Sequence, residues 1–310
     1  MPKWFNKKSM KKLNLSIVIP TRNRVEMVNK TLKYLSENKF FFKEIIIVDS
    51  SDKIQKTKIK LLKNFNKLNI KIFDSKPSIS LQRNIGSKHV SKKIKYVMFL
   101  DDDVCFQKNA LQNMLYFIKR KKNMVGFGFN LIIKDINNFT EFLKKNKFMK
   151  LLGIYDSRDG VVTQSGWQTK AINLKKNKFV EWMPTQAVIY KNDKIKNLRF
   201  DKAYGRYSYL EDLDFSYSLK KKGNLVICSN AKYSSNNTIK RNPYLFGVKE
   251  IVNRYYFVKK FKLSKKFFFM GFLALVAKHF FMFVSLKPSY LLRIIGNFSG
   301  IIKIILWIFK

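Results

Sequence analysis

The chain has 310 residues, 46% of them apolar, which is enough for one large or two modest domains and excludes a disordered chain. Its formal net charge of +43 suits an anionic partner and leaves nucleic acid, a membrane surface and a nucleotide substrate open. Two cysteines and two histidines exclude a disulfide framework and argue against a structural zinc site. Residues 1–8 are basic and lack the apolar core of a secretory signal, so we expect a reducing, cytoplasmic location.

Strands and helices alternate through the first third of the chain. The predicted strands are short apolar runs, the first of them ended by Pro20, at residues 15–19, 44–48, 70–73 and 96–100. The helices between them carry apolar residues at helical spacing, namely Val25, Val28, Leu32 and Leu35 in one and Leu81, Ile85 and Val90 in another. This alternation predicts an α/β fold with a mostly parallel sheet that is covered by helices on both faces.

Three consecutive aspartates, Asp101, Asp102 and Asp103, follow the fourth predicted strand. Adjacent carboxylates repel one another, and hard oxygen ligands in pairs suit Mg²⁺ or Mn²⁺, which bridge to phosphate oxygens. In open α/β sheets, ligands bind beyond the carboxyl ends of the strands, where these residues stand. The alternative is structural, with Asp103 capping the next helix and its neighbours merely solvated.

Glycine-dependent nucleotide motifs are absent from the first third of the sequence. Gly86 is the only glycine before Gly126, which excludes the GxGxxG turn and the GxxxxGK loop. A nucleotide bound here would therefore be held by side chains and a metal ion.

The middle of the chain is less regular. We predict an apolar helix face within residues 110–118 and strands at 125–133 and within 180–190. Trp167 and Trp182 fall in this part and belong either to the core or to a platform on which a sugar ring stacks.

A second acidic cluster consists of Glu211, Asp212 and Asp214. Together with the aspartate triplet it holds six of the 20 acidic residues in a chain with 63 basic ones. Such a concentration indicates a functional site, although carboxylates are also favoured at a helix N-terminus by the helix dipole.

The tail contains two long apolar stretches, at residues 267–286 and 290–309. The first is roughly as long as a membrane-spanning helix, but Lys278 and His279 lie in its middle, where a charge is costly. Apolar segments with periodic cations favour helices that lie in the membrane interface or re-enter it. A true span and a buried helical subdomain remain as alternatives.

Five motifs occur in order: SIVIPTRN at 16–23, VDSS at 48–51, QRNIG at 82–86, FLDDD at 99–103 and EDLD at 211–214. Their order and spacing resemble those of the family 2 glycosyltransferases with the GT-A fold, of the type that builds bacterial surface polysaccharides. The resemblance covers roughly residues 14–225, and NRYYF at 253–257 is similar to the C-terminal part of such enzymes. The sequence departs from the pattern after Asp49, which Ser-Ser-Asp follows, and at 234–237, where a histidine is common.

The resemblance implies a role for each matching residue. The nucleotide would be bound by Pro20, Thr21, Arg22, Asp49, Arg83, Asp101 and Asp102. Asp103 and Asp101 would hold the divalent cation, Mn²⁺ or Mg²⁺. Asp212 would act as the general base, with Glu211 beside it.

The resemblance also implies a function. The expected enzyme is an inverting, metal-dependent glycosyltransferase that uses a nucleotide-diphosphate sugar and a glycan or lipid-linked acceptor. We expect it on the cytoplasmic face of the inner membrane, bound to an anionic surface and not to nucleic acid. The expected regions are 1–105 for the nucleotide sugar, 106–238 for the acceptor and 239–310 for a helical, membrane-associating tail. A nuclease-like nucleic-acid-binding protein and a nucleotidyltransferase are the alternatives.

Overall fold

A single sheet, packed between helices, forms the body of the protein. The computed structural model describes residues 13–38, 41–62, 65, 68–121, 123–134, 145–151, 153, 155–205, 208–235, 241–285 and 287–308. The basic segment 1–8 and residues 236–237 of the departure noted above lie outside these ranges. Within them the sheet has nine strands.

The strands and helices are numbered along the chain. The strands are β1 (Leu15–Thr21), β2 (Glu44–Asp49), β3 (Ile70–Asp74), β4 (Tyr96–Leu100), β5 (Val104–Phe106), β6 (Met124–Leu131), β7 (Lys178–Val180), β8 (Ala187–Lys191) and β9 (Asn224–Ser235). The helices are α1 (Val25–Glu37), α2 (Lys53–Leu61), α3 (Ile79–His89), α4 (Ala110–Arg120), α5 (Lys147–Leu151), α6 (Asn192–Ile195), α7 (Glu211–Leu219), α8 (Pro243–Lys260), α9 (Lys265–Val284) and α10 (Ser289–Ile308).

The sheet is parallel in its first half and mixed in its second. The strand order is β3-β2-β1-β4-β8-β6-β9-β5, and β7 pairs with β9. The strands β3, β2, β1 and β4 run parallel, as the alternating pattern predicts. Beyond β4 only β6 and β9 pair in parallel, and β8, β5 and β7 pair antiparallel to their neighbours. The carboxyl ends of β1, β2 and β4 therefore meet at one edge of the sheet.

Pro20 does not end the first strand, contrary to the sequence-based expectation. The strand β1 continues to Thr21, and Pro20 pairs with Val48 of β2. A proline lacks the N–H that a central strand donates to its neighbours. The pairing of β1 with β4 stops at Val18 and Phe99, however. On that side of β1, Pro20 has no paired strand to which a backbone N–H would have to donate.

Both faces of the sheet are buried, which explains why its strands are apolar without alternation. Ile17 and Ile19 of β1 pack into one core cluster, and Val18 between them packs into a second. The second face is covered in part by α3. This helix can lie close to β1 because Gly86 has no side chain, and a Cβ at this position would clash with Val18. The polar residues of α3 face inward: Ser80, Gln82, Arg83 and Asn84 are buried, whereas the apolar residues that define the predicted face, Leu81, Ile85 and Val90, are only partly buried.

Three helices follow the sheet and pack against one another. Gly247 of α8 and Gly296 of α10 each touch the backbone of the other helix, so the two helices are in close contact. Both α9 and α10 are long and apolar enough to cross a membrane, with 33% and 28% of the respective segments buried. So little burial argues against the alternative of a buried helical subdomain.

Three polar residues in these apolar helices, His279, Arg293 and Asn297, face inward and have hydrogen-bond partners, whereas Lys303 is exposed. His279 of α9 is 1% exposed and hydrogen-bonds to Asn297 of α10 at 2.9 Å. Arg293 donates to Glu250 of α8 at 2.8 and 3.0 Å. The exposed side chains of α9 and α10 are instead mainly apolar, including Leu273, Phe280, Leu292, Ile302 and Leu306.

Candidate functional site

A cavity of about 700 Å³ opens at the edge where the parallel strands end. It brings together both acidic clusters, although more than 100 residues separate them in sequence. All predicted site residues except Asp49 line it, namely Pro20, Thr21, Arg22, Arg83, Asp101, Asp102, Asp103, Glu211 and Asp212.

Asp49 lies at the predicted strand end but is not one of the described residues that line the cavity. It is 1% exposed, and its Oδ1 accepts hydrogen bonds from the backbone N–H and the hydroxyl of Ser51. The neighbouring residue Ser50 lines the cavity in its place. The predicted contact of Asp49 with the nucleotide stays a prediction.

The three aspartates of the first cluster have different partners. Asp101 accepts a hydrogen bond from Arg83 at 2.8 Å and is 23% exposed. Asp102 accepts from the Thr21 hydroxyl at 2.7 Å and from Arg24 at 2.9 Å, so it fastens β1 and the start of α1 to the end of β4. Asp103 lies 3.5 Å from Arg24.

Burial makes the charged forms of two of these aspartates unfavourable. It raises the pKa of Asp102 to about 6, against the opposing effects of Thr21 and Arg24. Burial, with the nearby charge of Asp101, also raises the pKa of Asp103. An added cation at this place would lower both pKa values again.

The first cluster fits a hydrated divalent cation rather than a closed metal site. Among the described residues, no group of three His, Cys, Asp or Glu side chains is placed to hold a metal ion. Mg²⁺ in particular binds one or two carboxylates and completes its shell with water and substrate phosphates. Asp101 and Asp103 both line the cavity and provide such a pair.

Arg83 connects the two acidic clusters. This side chain of α3 is 3% exposed and donates from Nη2 to Asp101 at 2.8 Å and from Nη1 to Glu211 at 2.9 Å. Its guanidinium also lies 5.4 Å from the centre of the Phe200 ring. The resemblance implies a contact of Arg83 with the diphosphate, and the structure shows that both ends of its guanidinium are already occupied by carboxylates.

The second cluster opens helix α7 after a strained residue. Leu210 has a φ of 77°, a left-handed conformation that non-glycine residues rarely adopt, and it directs the chain into Glu211. Strain of this kind costs on the order of 1–3 kcal/mol and is concentrated at functional sites. The sequence contains no signal for it, because Leu210 is an ordinary helix-forming residue.

The three acids of this cluster are placed differently. Glu211 is buried and paired with Arg83, whereas Asp212 is partly exposed in the cavity and accepts from the backbone N–H of Leu213 at 2.8 Å. Asp214 is buried away from the cavity lining and contacts Lys260 of α8 at 2.8 Å. Burial raises the pKa of both Glu211 and Asp212, and their proximity adds to the increase for Glu211.

The two tryptophans separate into different roles. Trp182 is 4% exposed, lines the cavity and donates its Nε1–H to the carbonyl of Thr169 at 2.8 Å. Trp167 packs against Phe268 of α9 and beneath the guanidinium of Arg254, so it belongs to the core as its apolar context suggests. Trp182 alone remains available as a wall for a sugar ring.

Several cavity residues are not identifiable from the sequence. Arg24 stands two residues after Arg22, and this repeated basic residue at the end of β1 is a weak signal that sequence reasoning passed over. Gln82 donates to the carbonyls of Thr21 and Val48 at 2.8 and 2.9 Å and holds the ends of β1 and β2 together. Arg241, two residues before α8, and Lys249, inside α8, line the cavity without any motif that marks them.

The comparison with known families decides the assignment. Residues 16–178 match glycosyl transferase family 2. The chain belongs to this family. The predicted family and the predicted class of enzyme, one that transfers glycosyl groups, are thereby confirmed.

Individual relatives agree with the family assignment. The Bacillus subtilis (strain 168) protein GgaA, a minor teichoic acid biosynthesis protein, is 36% identical over 110 residues, which is 33% of this chain and 24% of GgaA. The match therefore spans about a quarter of that relative's length.

Two solved structures align with this chain. A mannosyltransferase from Pyrobaculum calidifontis, solved with GDP-Man and Mn²⁺, aligns with 94% of this chain and 87% of its own at 12% identity and a TM-score of 0.58. S. aureus TarS aligns with 77% of this chain and 65% of its own at 19% identity and a TM-score of 0.49. At such identities the first likeness supports the fold alone, and the predicted GT-A α/β fold is confirmed.

The bridge made by Arg83 generates a prediction about stability. In Arg83→Met, Asp101 and Glu211 lose their shared cation, and removal of one partner of a buried ion pair costs about 3–5 kcal/mol. We expect the free energy of unfolding in detergent solution to fall by about that amount in denaturant titrations. In the double variant Arg83→Met, Glu211→Gln the loss should be smaller, since one of the stranded charges is gone.

The control for this experiment is Arg120→Met, which removes an exposed arginine at the end of α4. We expect it to change the free energy of unfolding by less than about 0.5 kcal/mol. Equal losses for Arg83→Met and Arg120→Met would show that the two acidic clusters do not depend on the bridge.

Proposed function

We propose that this chain is an inverting, metal-dependent glycosyltransferase that moves a sugar from a nucleotide-diphosphate sugar to a hydroxyl of a glycan or lipid-linked acceptor. One observation carries the proposal: a single cavity at the carboxyl edge of the sheet holds a pair of carboxylates suited to a cation and, across Arg83, a second acidic pair. The place in surface-polysaccharide synthesis is supported by the similarity to GgaA.

The donor occupies the part of the cavity formed by residues 1–105 in this proposal. Pro20, Thr21 and Arg22 line it at the end of β1, and Asp101 and Asp103 hold Mn²⁺ or Mg²⁺. The bound cation offsets the charge that develops on the departing diphosphate. Asp102 stabilises the donor site by holding Thr21 and Arg24 in place, because these two side chains donate to its two carboxylate oxygens.

The general base is Asp212, in the acceptor-binding part formed by residues 106–238. Glu211 has a direct arginine partner, whereas the partly exposed Asp212 carboxylate is open to the cavity. A carboxylate that takes the proton of the acceptor hydroxyl, on the side opposite the leaving diphosphate, leads to a single displacement with inversion. The raised pKa of Asp212 suits a base that works near neutral pH.

The region 239–310 associates with the cytoplasmic face of the inner membrane in this proposal. The helices α9 and α10 have the length and apolarity for it, and their exposed side chains are apolar. His279 and Arg293 are turned inward, so insertion into the interface would not expose either of them to lipid.

The metal proposal predicts a loss of Mn²⁺ binding when Asp103 is changed. Asp103→Asn keeps the shape of the side chain but removes a negative ligand. We expect calorimetric titrations with Mn²⁺ and a nucleoside diphosphate to show at least about tenfold weaker binding, and sugar transfer to fall with it. Excess EDTA should stop transfer by the unchanged protein.

The matched control is Asp74→Asn, at the end of strand β3 on the far side of β1 and β2, whose carboxylate is 51% exposed. It should bind Mn²⁺ like the unchanged protein. Full transfer activity in EDTA, or equal Mn²⁺ binding by Asp103→Asn, would contradict the metal role.

The base proposal predicts a pH-dependent defect at Asp212. The base acts only when deprotonated, and a raised pKa shifts deprotonation to higher pH, so kcat should rise with pH above the range of an ordinary carboxylic acid. Asp212→Asn should lower kcat by about 100-fold or more and abolish this rise, with donor binding retained. Steady-state rates across a pH series provide the measurement.

Asp193→Asn, which changes an exposed carboxylate 67% accessible in α6, is the control and should keep both kcat and its pH profile. If Asp212→Asn turned over normally and Asp214→Asn were inactive, the base would have been assigned to the wrong residue.

The membrane proposal predicts the loss of vesicle binding when charges enter the exposed face of the tail. The double variant Leu273→Glu, Leu306→Glu changes residues that are 64% and 60% exposed on α9 and α10. We expect the unchanged protein to float with phosphatidylglycerol vesicles and the variant to remain in solution. High salt should weaken the binding without eliminating it, because apolar contact persists when charges are screened.

Ile54→Glu serves as the control, since Ile54 is 75% exposed on α2, outside the tail. It should float like the unchanged protein. Flotation of the tail variant to the same extent would refute association through α9 and α10.

A further inference from the structure

The cavity has a basic wall in its C-terminal part. Lys170, Arg241 and Lys249, here called the basic wall, line the same cavity as Asp212. Two of them, Arg241 and Lys249, belong to α8 or the residues just before it, outside the stretch 253–257 that resembles the family. The donor site proposed above does not require them, since it lies at the ends of β1 and β4 with its own arginines, Arg22 and Arg24.

A chain of packed side chains holds this part of the cavity in place. The guanidinium of Arg241 lies 4.9 Å from the centre of the Phe246 ring, which packs edge-on against Tyr209 at 5.0 Å. Arg254, 2% exposed, donates to the Tyr209 hydroxyl at 3.0 Å and to Gln168 at 2.8 Å. Tyr209 and Gln168 themselves line the cavity, so the wall is built on a buried scaffold.

The charge of this wall is positive next to the proposed base. Glu250, the neighbour of Lys249, is 5% exposed and paired with Arg293, so it faces the helices and not the cavity. Lys170 acts on Asp212, whose pKa its positive charge lowers. Partial burial lowers the pKa of Lys249, because the ammonium loses part of its contact with water.

We infer that the acceptor carries a phosphate near its reacting hydroxyl and that Lys170, Arg241 and Lys249 bind it. This inference rests on the proposed function. Neutral hydroxyls are bound well by aromatic faces and neutral hydrogen-bonding groups, whereas cations on a cavity wall give strong, charge-assisted hydrogen bonds to phosphate oxygens.

The phosphate has two chemical sources. It belongs either to a lipid diphosphate that anchors the acceptor or to a phosphodiester unit of the acceptor chain. The position of the wall is compatible with both, since α8 joins the cavity on one side and packs against α10 on another. The experiment separates them with two probes of the same chemistry.

The test is a binding measurement that does not require turnover. The full chain in detergent is first saturated with Mn²⁺ and either UDP or GDP, whichever raises its melting temperature. Glycerol 3-phosphate is then titrated into this protein, and its binding is measured by calorimetry. Glycerol is the neutral reference. In parallel, phosphatidylcholine vesicles with and without an isoprenyl diphosphate are used in flotation with the same nucleotide-saturated protein.

The variant is Arg241→Gln, Lys249→Gln, and the control is Lys175→Gln, Lys176→Gln, which removes two exposed lysines outside the cavity lining. We expect the unchanged protein and the control to bind a phosphate probe and not glycerol, and the variant to bind at least about tenfold more weakly. Nucleotide binding and the melting temperature should be equal in all three.

Each outcome has a definite meaning. If more protein floats with vesicles that contain isoprenyl diphosphate than with vesicles that lack it, the lipid is the source of the phosphate. If glycerol 3-phosphate binds more strongly than glycerol, the acceptor chain is the source. If the nucleotide binds but neither phosphate probe does, or if variant and control bind alike, the inference is refuted and the proposed function stands. If neither nucleotide binds with Mn²⁺, the proposed function itself fails.

Discussion

The structure depends on one buried guanidinium shared by two carboxylates. Arg83 reaches Asp101 at the end of β4 and Glu211 at the start of α7, residues that are 18 and 128 positions away in sequence. Removing an arginine from water is costly unless its hydrogen bonds are satisfied by partners of opposite charge. The ion pairs therefore tie the parallel half of the sheet to the helix that carries the second acidic cluster.

The rest of α3 strengthens the same connection. Asn84 exchanges two hydrogen bonds of 2.8 Å with the backbone of Phe200, and Ser80 contacts Ser208 at 3.0 Å. A helix that performs this task must turn its polar residues inward. Its own burial then depends on a close approach to the sheet, which Gly86 provides against Val18.

One positive charge between two negative ones has a chemical consequence. Arg83 neutralises at most one of Asp101 and Glu211, so within this group of three charges one carboxylate is left without compensation where burial disfavours its charge. The pKa values of Asp103, Glu211 and Asp212 are raised because burial makes their charged forms unfavourable. A divalent cation at one end and a proton taken up at the other both offset this unfavourable charge, and these are the two demands of glycosyl transfer from a nucleotide sugar.

Sequence reasoning succeeded where hydrophobic pattern and local order decide the structure. The strands β1 to β4 and the acidic residues that follow β4 could be placed, because buried parallel strands are apolar runs and their carboxyl ends share an edge. It could not show that α3 also turns polar side chains inward, since no local pattern predicts that Gln82, Arg83 and Asn84 are buried in the same helix whose Ile85 packs against the core.

Other features depend on tertiary contacts that no local pattern contains. The turn of Asp49 toward Ser51 follows from a hydrogen bond within the loop, and the left-handed Leu210 is imposed by the packing around it. Arg241 and Lys249 reach the cavity because α8 folds back onto it, a long-range arrangement that composition and spacing do not reveal.

Helix α8 belongs to the site and to the tail at once. Lys260 at its end contacts Asp201 at 2.7 Å and Asp214 of α7 at 2.8 Å, so α8 is fastened to the helix that presents Asp212. At its other end Gly247 lies against the backbone of α10, and Asn297 donates to the Gly247 carbonyl at 2.9 Å. Because close-packed helices do not slide without breaking such contacts, the position of α10 sets the position of the cavity wall. In the proposed membrane-bound state, an acceptor held at the membrane surface would then meet the proposed base, Asp212, in a fixed position.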